Sequence, residues 1–267
     1  MTESTWMRRV LIGIALAFLG LVLIVPLGTV FGGALEKGFA NAFHEVQDPI
    51  TGAAILLTLK MAAVVVPLNL IFGISAAWSI AKFDFFGKKI LMTLIDLPFT
   101  VSPVVSGLIF VLLFGAQGLL GPWLAAHDIQ VIFAIPGIII ATLFVTFPYV
   151  ARELIPIMQA QGNDQEEAAV TMGANGWQTF YHVTLPNIRW GLIYGVILLN
   201  ARAMGEFGAV SVVSGHVRGL TNTIPLHVEI LYNEYNLVGA FCVASILAFL
   251  AIGTLIAKVL VKKQGEL

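Results

Sequence analysis

The sequence predicts an all-α membrane protein: one bundle of six transmembrane helices with both termini cytoplasmic. Three observations predict it. Hydrophobic residues fill 58% of the 267 positions and charged residues only 11%, where a soluble domain carries about 25% charged. Six apolar stretches each reach the roughly 20 residues that a spanning helix needs. Lysine and arginine gather on one side of those stretches.

The composition excludes several classes at once. A mean hydropathy of +0.94 leaves too little polar surface to cover the chain in water, so lipid is its natural solvent. A net charge of −1 offers no basic excess for nucleic acid. The single cysteine, Cys242, excludes an intrachain disulfide and reads as a small hydrophobe in a helix. The five histidines are scattered with none at i,i+4 spacing, so they suggest no metal site.

The elements follow in order. The first span, 10–31, is too long for the apolar core of a cleaved leader, and no small-residue cleavage site follows it. The second, 53–80, carries Lys60 near its outer end, where a lysine can snorkel to the headgroups. The third, 90–114, holds Asp96, Pro98, Thr100, Ser102, Pro103 and Ser106. Two prolines five residues apart kink or open that helix and free backbone groups. Asp96 is placed to cap the broken helix. The hydroxyls beside the prolines either satisfy the freed carbonyls or line a path for an oxyanion. The fourth span is 131–150. The fifth, 187–213, carries Arg202 and Glu206 one helical turn apart. They form a structural ion pair or part of a polar lining. The sixth is 237–261. A closed β-barrel would show short alternating strands, and these stretches do not.

With the N-terminus inside, ten of the fourteen basic residues are cytoplasmic, among them Lys82, Lys88, Lys89, Arg152, Arg189, Lys258, Lys262 and Lys263. Only Lys37 and Arg218 fall in outer loops. No linker, charge run or repeat divides the chain, so 1–267 reads as a single transmembrane domain.

The polar segment 151–186 is the largest on the inner side. Asp164 can cap a helix there, with Glu167 three residues on reaching back to it. Gly173 suits the end of that helix, because glycine accepts the left-handed conformation. Asn175 offers a second cap with Gln178 three residues later, and Trp177, Phe180, Tyr181 and Val183 give the next helix an apolar side. Pro186 suits the first turn of the following span. The loop is therefore two short helices, spanning 164–182, with a sharp bend between them. On the residues alone this pair lies on the headgroups or anchors a partner.

Glu167-Ala168-Ala169, three residues, Gly173, nine residues, then Val183-x-Leu185-Pro186 resembles the signature of ABC importer permeases of the type I fold. The resemblance implies a core over 53–258 and coupling helices over 164–182 that dock on a separate cytoplasmic ATPase. Glu167, Ala168, Ala169 and Gly173 are then the coupling positions. It implies a transport subunit that is not itself an enzyme. No G-x-x-x-x-G-K-[ST] phosphate loop occurs in the chain, so no cofactor is expected here, and ATP and Mg belong to the partner ATPase.

A second stretch, Arg202-Ala203-Met204-Gly205-Glu206-Phe207-Gly208-Ala209, resembles a segment of sulfate and molybdate permeases. The following residues to Glu229, and Pro98 to Gly107, are similar to the sulfate/thiosulfate branch and its CysW-type subunit. That resemblance implies a homologous CysT-type permease, two ATPase copies and an extracytoplasmic sulfate-binding protein as partners, in the cytoplasmic membrane of a bacterium. The pathway candidates are Arg202, Glu206, Thr100, Ser102 and Ser106. Arg218, Glu229 and Glu234, in the outer loop 214–236, are candidates for docking the binding protein. A molybdate or tungstate permease, or a secondary anion transporter, are the alternatives.

Overall fold

A computed structural model describes residues 5–265, and those residues are helical apart from turns and connections. Residues 1–4 and 266–267 of the expected 1–267 domain lie outside the described residues, as do the side chains of Lys258, Lys262 and Lys263.

Helix α1 (Thr5–Leu19) passes through a π-turn at Gly20–Ile24 into α2 (Val25–Ala34), giving one apolar rod over Trp6–Ala34. Pro26 accounts for the wide turn: it has no N–H, and its ring would strike the carbonyl four residues back. The short α3 (Phe39–Gln47) turns Phe39, Ala42, Phe43 and Val46 toward an apolar groove against α2 and the last helix. Helix α4 (Pro49–Lys82) starts ahead of the expected 53. The Asp48 carboxylate accepts the N–H groups of Ile50 and Thr51 at 2.9 and 3.1 Å, and Pro49 needs no partner for its nitrogen. Hydropathy does not register such a cap.

The expected third span is two helices, α5 (Lys88–Thr100) and α6 (Pro103–Phe114), which meet at 107°. Pro103 disfavours helical geometry at the residue before it, and Ser102 sits at ψ 135° with Val101 at ψ 131°. A short α7 (Gly121–Ala126) leads to α8 (Ile135–Thr146) and α9 (Pro148–Gln161), which together form one rod. The fourth span thus begins at Ile135 and runs on to Gln161, past the expected limit of 150. The polar Arg152 ends the hydropathy signal without ending the helix, because it has partners. Its Nε lies 3.2 Å from Asp96 Oδ1, and its guanidinium lies 4.9 Å from the Phe99 ring centre. Asp96 therefore joins α5 to α9 and does not cap the broken helix, as the sequence had suggested.

The polar segment contains α10 (Asp164–Thr171) and α11 (Gly176–Thr179). A second π-turn, Phe180–Thr184, carries α11 into α12 (Leu185–Met204). The expected fifth span ends at Met204. Gly205 closes it, and a new helix, α13 (Gly208–Val213), follows. A connecting segment with α14 (Ile224–Asn233), at the end of the bundle away from α10 and α11, leads to α15 (Leu237–Gly265). Among the described residues, four helical rods and the bent α5–α6 pair are long and apolar enough to cross a membrane. Helix α12 has 20 residues, about 30 Å at 1.5 Å per residue. It carries Asn187, Arg189, Asn200 and Arg202 and is less apolar than those five.

Helix α4 is the spine, packed by α8, α9, α12 and α14. A methyl on Gly73 would come within 2.5 Å of Val150 Cβ, so α4 and α9 approach as closely as they do because residue 73 has no side chain. Ala76, Ala77 and Ala151 continue that tight seam. One turn nearer the N-terminus of α4 than Gly73, the Asn69 amide donates to Thr146 Oγ1 at 2.8 Å and joins α4 to α8. One apolar cluster, around Met61, Val65, Ile138 and Val210, fills the half away from α10 and α11. A second, around Leu154, Met158, Ile188 and Leu199, fills the half next to α10 and α11.

Candidate functional site

The bend between α10 and α11 is built by glycine and by caps. Gly173 has φ +93°, a left-handed conformation that other residues adopt at a cost. Its N–H donates to Val170 O at 2.9 Å, and the Ala174 N–H donates to Ala169 O at 3.0 Å. Those two bonds are the Schellman closure of a helix C-terminus. Asn175 then starts α11. Its side chain accepts the Gln178 N–H at 2.9 Å while the Gln178 side chain accepts the Asn175 N–H at 2.9 Å, a full capping box. The other expected cap is absent. Asp164 is the first residue within α10, and Asn163, before it, is already near-helical and makes no side-chain cap. The second short helix is also not separate. It runs through the π-turn ahead of Pro186 into α12, so the bend and the long helix are continuous.

Of the four expected coupling positions, Glu167, Ala168 and Gly173 are exposed and Ala169 is buried against the bundle. Around the exposed three stand Val170, Met172, Trp177 and Tyr181, all exposed apolar side chains at the tip of the segment. Trp177 and Tyr181 stack with ring centres 6.1 Å apart. Phe180 turns the other way and packs on Trp78 of α4, with ring centres at 5.2 Å. A groove of about 580 Å³ opens beside this patch, lined by Trp78, Phe83, Glu167, Val170 and Thr171 among others.

The sequence reading missed what fastens the patch to the bundle. Lys82, the last residue of α4, places its Nζ 2.9 Å from Glu166 Oε1, with side chains only 5% and 16% exposed. The Lys82 ammonium also donates to the Gly162 carbonyl, and Thr184 Oγ1 donates to Glu166 Oε1 at 3.2 Å. Gln161 donates to the Asn187 carbonyl at 2.9 Å. One carboxylate thus ties α10 to α4 and to the start of α12. The available signal was spacing: Glu166 and Ala169 lie three apart and share the inward face, while Glu167 and Val170 lie on the outward one.

A second constellation lies where the two helix breaks meet. A methyl on Gly107 would come within 2.7 Å of Ala209 O, and one on Gly208 would come within 3.0 Å of Pro103 Cβ. The α5–α6 break therefore sits against the α12–α13 break. Arg202 and Glu206 do pair, with Nη1 2.6 Å from Oε2, but not along one helix face. Glu206 lies beyond the end of α12, and its Oε1 accepts the Ala209 N–H at 3.0 Å, capping α13. The contact to Arg202 is ionic, without hydrogen-bond geometry at Oε2. Thr100 donates to Leu97 O at 2.8 Å and Ser106 to Ser102 O at 3.2 Å, carbonyls that already accept the N–H groups of Val101 and Ser106, so both hydroxyls are engaged within their own helix turns. Ser102 is exposed at the corner.

On the segment that holds α14, Arg218 pairs with Glu234, and His216 Nε2 lies 3.2 Å from Glu229 Oε2. The three docking candidates thus brace α14 and the turn before it. His227, which the sequence reading passed over, is buried, and its Nε2 lies 3.1 Å from Thr51 Oγ1 of α4. Burial pushes its pKa below the ordinary histidine value; Asp48 and Glu45 oppose that shift and Arg218 adds to it.

Comparison with known proteins agrees with this architecture. Residues 69–265 match the family model described as binding-protein-dependent transport system inner membrane component. The chain is 49% identical over 261 residues to the sulfate transport system permease protein CysW of Escherichia coli, covering 98% of this chain and 90% of that one. It is 52% identical over 252 residues to the chloroplastic sulfate permease 2 of Chlamydomonas reinhardtii, covering 94% of this chain and 68% of that one. To the CysT permease protein of Escherichia coli it is 35% identical over 246 residues, covering 90% and 89%. The fold matches a chain of a bacterial alginate ABC transporter with a TM-score of 0.79 at 16% identity, covering 96% of this chain and 92% of that chain. The chain therefore belongs to the family of inner-membrane components of binding-protein-dependent transport systems.

Proposed function

We propose that this chain is one of two membrane permease subunits of an ATP-driven importer that carries sulfate, and thiosulfate by the same route, across the cytoplasmic membrane of a bacterium. The observation that carries the proposal is the 49% identity to the CysW sulfate permease protein over 98% of the chain. The weaker relation to CysT supports a homologous, non-identical partner permease. Two copies of a cytoplasmic ATPase, holding ATP and Mg, dock on the α10–α11 bend. Its tip supports that docking: Met172 is 82% exposed and Trp177 73%, an apolar patch with an aromatic anchor of the kind that interfaces bury. An extracytoplasmic sulfate-binding protein delivers the anion to the outer segment.

In this mechanism ATP closes the ATPase pair and draws the docked bends together. Helix α12 is continuous with α11, and Glu166 ties α10 to α4. The pull therefore reaches both helices, and the bundle rocks from inward-open to outward-open. The anion enters a path that passes Arg202, whose planar fork suits oxyanions. ATP hydrolysis resets the bundle. The chain contributes geometry and electrostatics and no bond chemistry.

Purification in mild detergent tests the assembly. The expected result is an ATPase and a second permease with this chain at 2:1:1, and loss of the ATPase on Trp177→Ala. Sulfate uptake into vesicles holding the assembly should require ATP and survive collapse of the proton gradient, with thiosulfate competing. Uptake that follows the proton gradient and ignores ATP would make the chain a secondary carrier. Competition by molybdate alone would reassign its cargo.

A further inference from the structure

The ion pair at the α12–α13 break poses a question of release. An arginine alone in a dry path would hold a dianion tightly. Here Glu206 is fully buried: its Oε1 accepts the Ala209 N–H at 3.0 Å, and its Oε2 lies 2.6 Å from Arg202 Nη1 in an ionic contact. Its charge is thus turned inward and fixed in place. Arg202 is held through Nη1 alone and stays 30% exposed. A guanidinium carries five N–H donors, so several remain open to a ligand, and among the described residues no other side chain takes them. The α6 corner with Ser102 adjoins the same place, because Gly208 packs on Pro103.

We infer that Glu206 is a positioning residue and fixed counter-ion: it aims Arg202 into the anion path and offsets its charge so that an oxyanion is passed on and not trapped. This rests on the anion path proposed above. With Glu206 locked inward, a passing anion meets free N–H donors on a group of nearly neutral net charge. That combination recognises the fork of an oxyanion while keeping residence short. The cap to Ala209 explains why the counter-ion is a glutamate beyond the helix end: one side chain fixes the start of α13 and the guanidinium together.

The test uses the assembled complex with its binding protein, radiolabelled sulfate and ATP. Two quantities are read, uptake rate in proteoliposomes and sulfate retained by the complex after free label is removed. Glu206→Gln keeps an oxygen for the Ala209 N–H and replaces the oxygen facing Arg202 by an uncharged NH2 group. Expected are uptake slowed about tenfold and retained sulfate raised about tenfold, since an opposite charge next to Arg202 is lost. Glu206→Asp should restore release in part, and adding Arg202→Gln to Glu206→Gln should abolish the retention. A merely structural role predicts slower uptake with no retained anion, and that result overturns the inference. Failure of Glu206→Gln to assemble, or retention that survives Arg202→Gln, overturns it equally. A wild-type complex that neither binds nor moves sulfate overturns the proposed function as well, so the two failures are told apart.

Discussion

Replacing Glu166 by glutamine should release α10 from the bundle while leaving the rest of the fold in place. Helix α10 has eight residues, too few to be stable by itself, and Ala169 is its one buried residue. Its attachment is therefore mostly polar, and the Lys82–Glu166 pair is the centre of it. With side chains 5% and 16% exposed and 2.9 Å between charges, the pair counts as buried. Removing one partner of a buried pair costs about 3–5 kcal/mol, because the other charge is left without compensation. The Thr184 hydroxyl and the Gly162 carbonyl soften the loss for whichever partner remains, which favours the lower end. Amide hydrogen exchange in the purified complex reads this directly. At 1.4 kcal/mol per factor of ten, protection across α10 should fall about 10²- to 10³-fold in Glu166→Gln. Protection in α14 at the far end should not change. Lys82→Met should give the same pattern in α10 although it lies in α4. The double variant should cost less than the two single losses added, since it strands no charge. If Glu166→Gln leaves α10 exchange within about threefold of the parent, the pair is not what holds the bend, and the reasoning fails.

Two further perturbations act at single positions. Gly173→Val meets open space, so its cost is conformational: a side chain at φ +93° costs about 1–2 kcal/mol and re-aims the bend. Membrane yield should be normal and sulfate uptake lost, and normal uptake would refute the role of the bend. His227 is neutral in the fold with its pKa lowered by burial, so the opened state binds the proton more readily. The stability that α14 gains from it is present above the ordinary value of 6.5 and is lost as pH falls from there toward the lower folded-state pKa. Exchange of the α14 amides should rise over that window, His227→Gln should flatten the response, and a pH-independent parent would refute the assignment.

What could be read from the sequence and what could not divide along a physical line. The apolar stretches were legible because lipid imposes one length and one composition on every crossing helix. The break at Pro103, the left-handed Gly173 and the Asn175–Gln178 box were legible because each is decided within a few residues of backbone. The positions that misled are those where a polar side chain chooses between its own backbone and a partner across the fold. Asp164 has the composition of a cap, yet the N-cap position falls on Asn163, where the chain is already turning and no side-chain bond forms. Asp96 could have capped α5 and instead meets Arg152 of α9, which lets α9 continue past the point where hydropathy drops. Lys82 reads only as one of the cytoplasmic basic residues by its place in the chain, and the packing of α10 on α4 makes it the partner of Glu166. Arg202 and Glu206 show the ambiguity most plainly. Four residues apart, they pair in a continuous helix and pair equally well across a helix end, so spacing cannot tell the two cases apart. Gly205 between them is the local hint, since it closes α12 and leaves Glu206 free to start α13. The difference decides the geometry: along one helix face the two side chains would share one environment, whereas beyond the helix end the carboxylate is buried and the guanidinium stays 30% exposed.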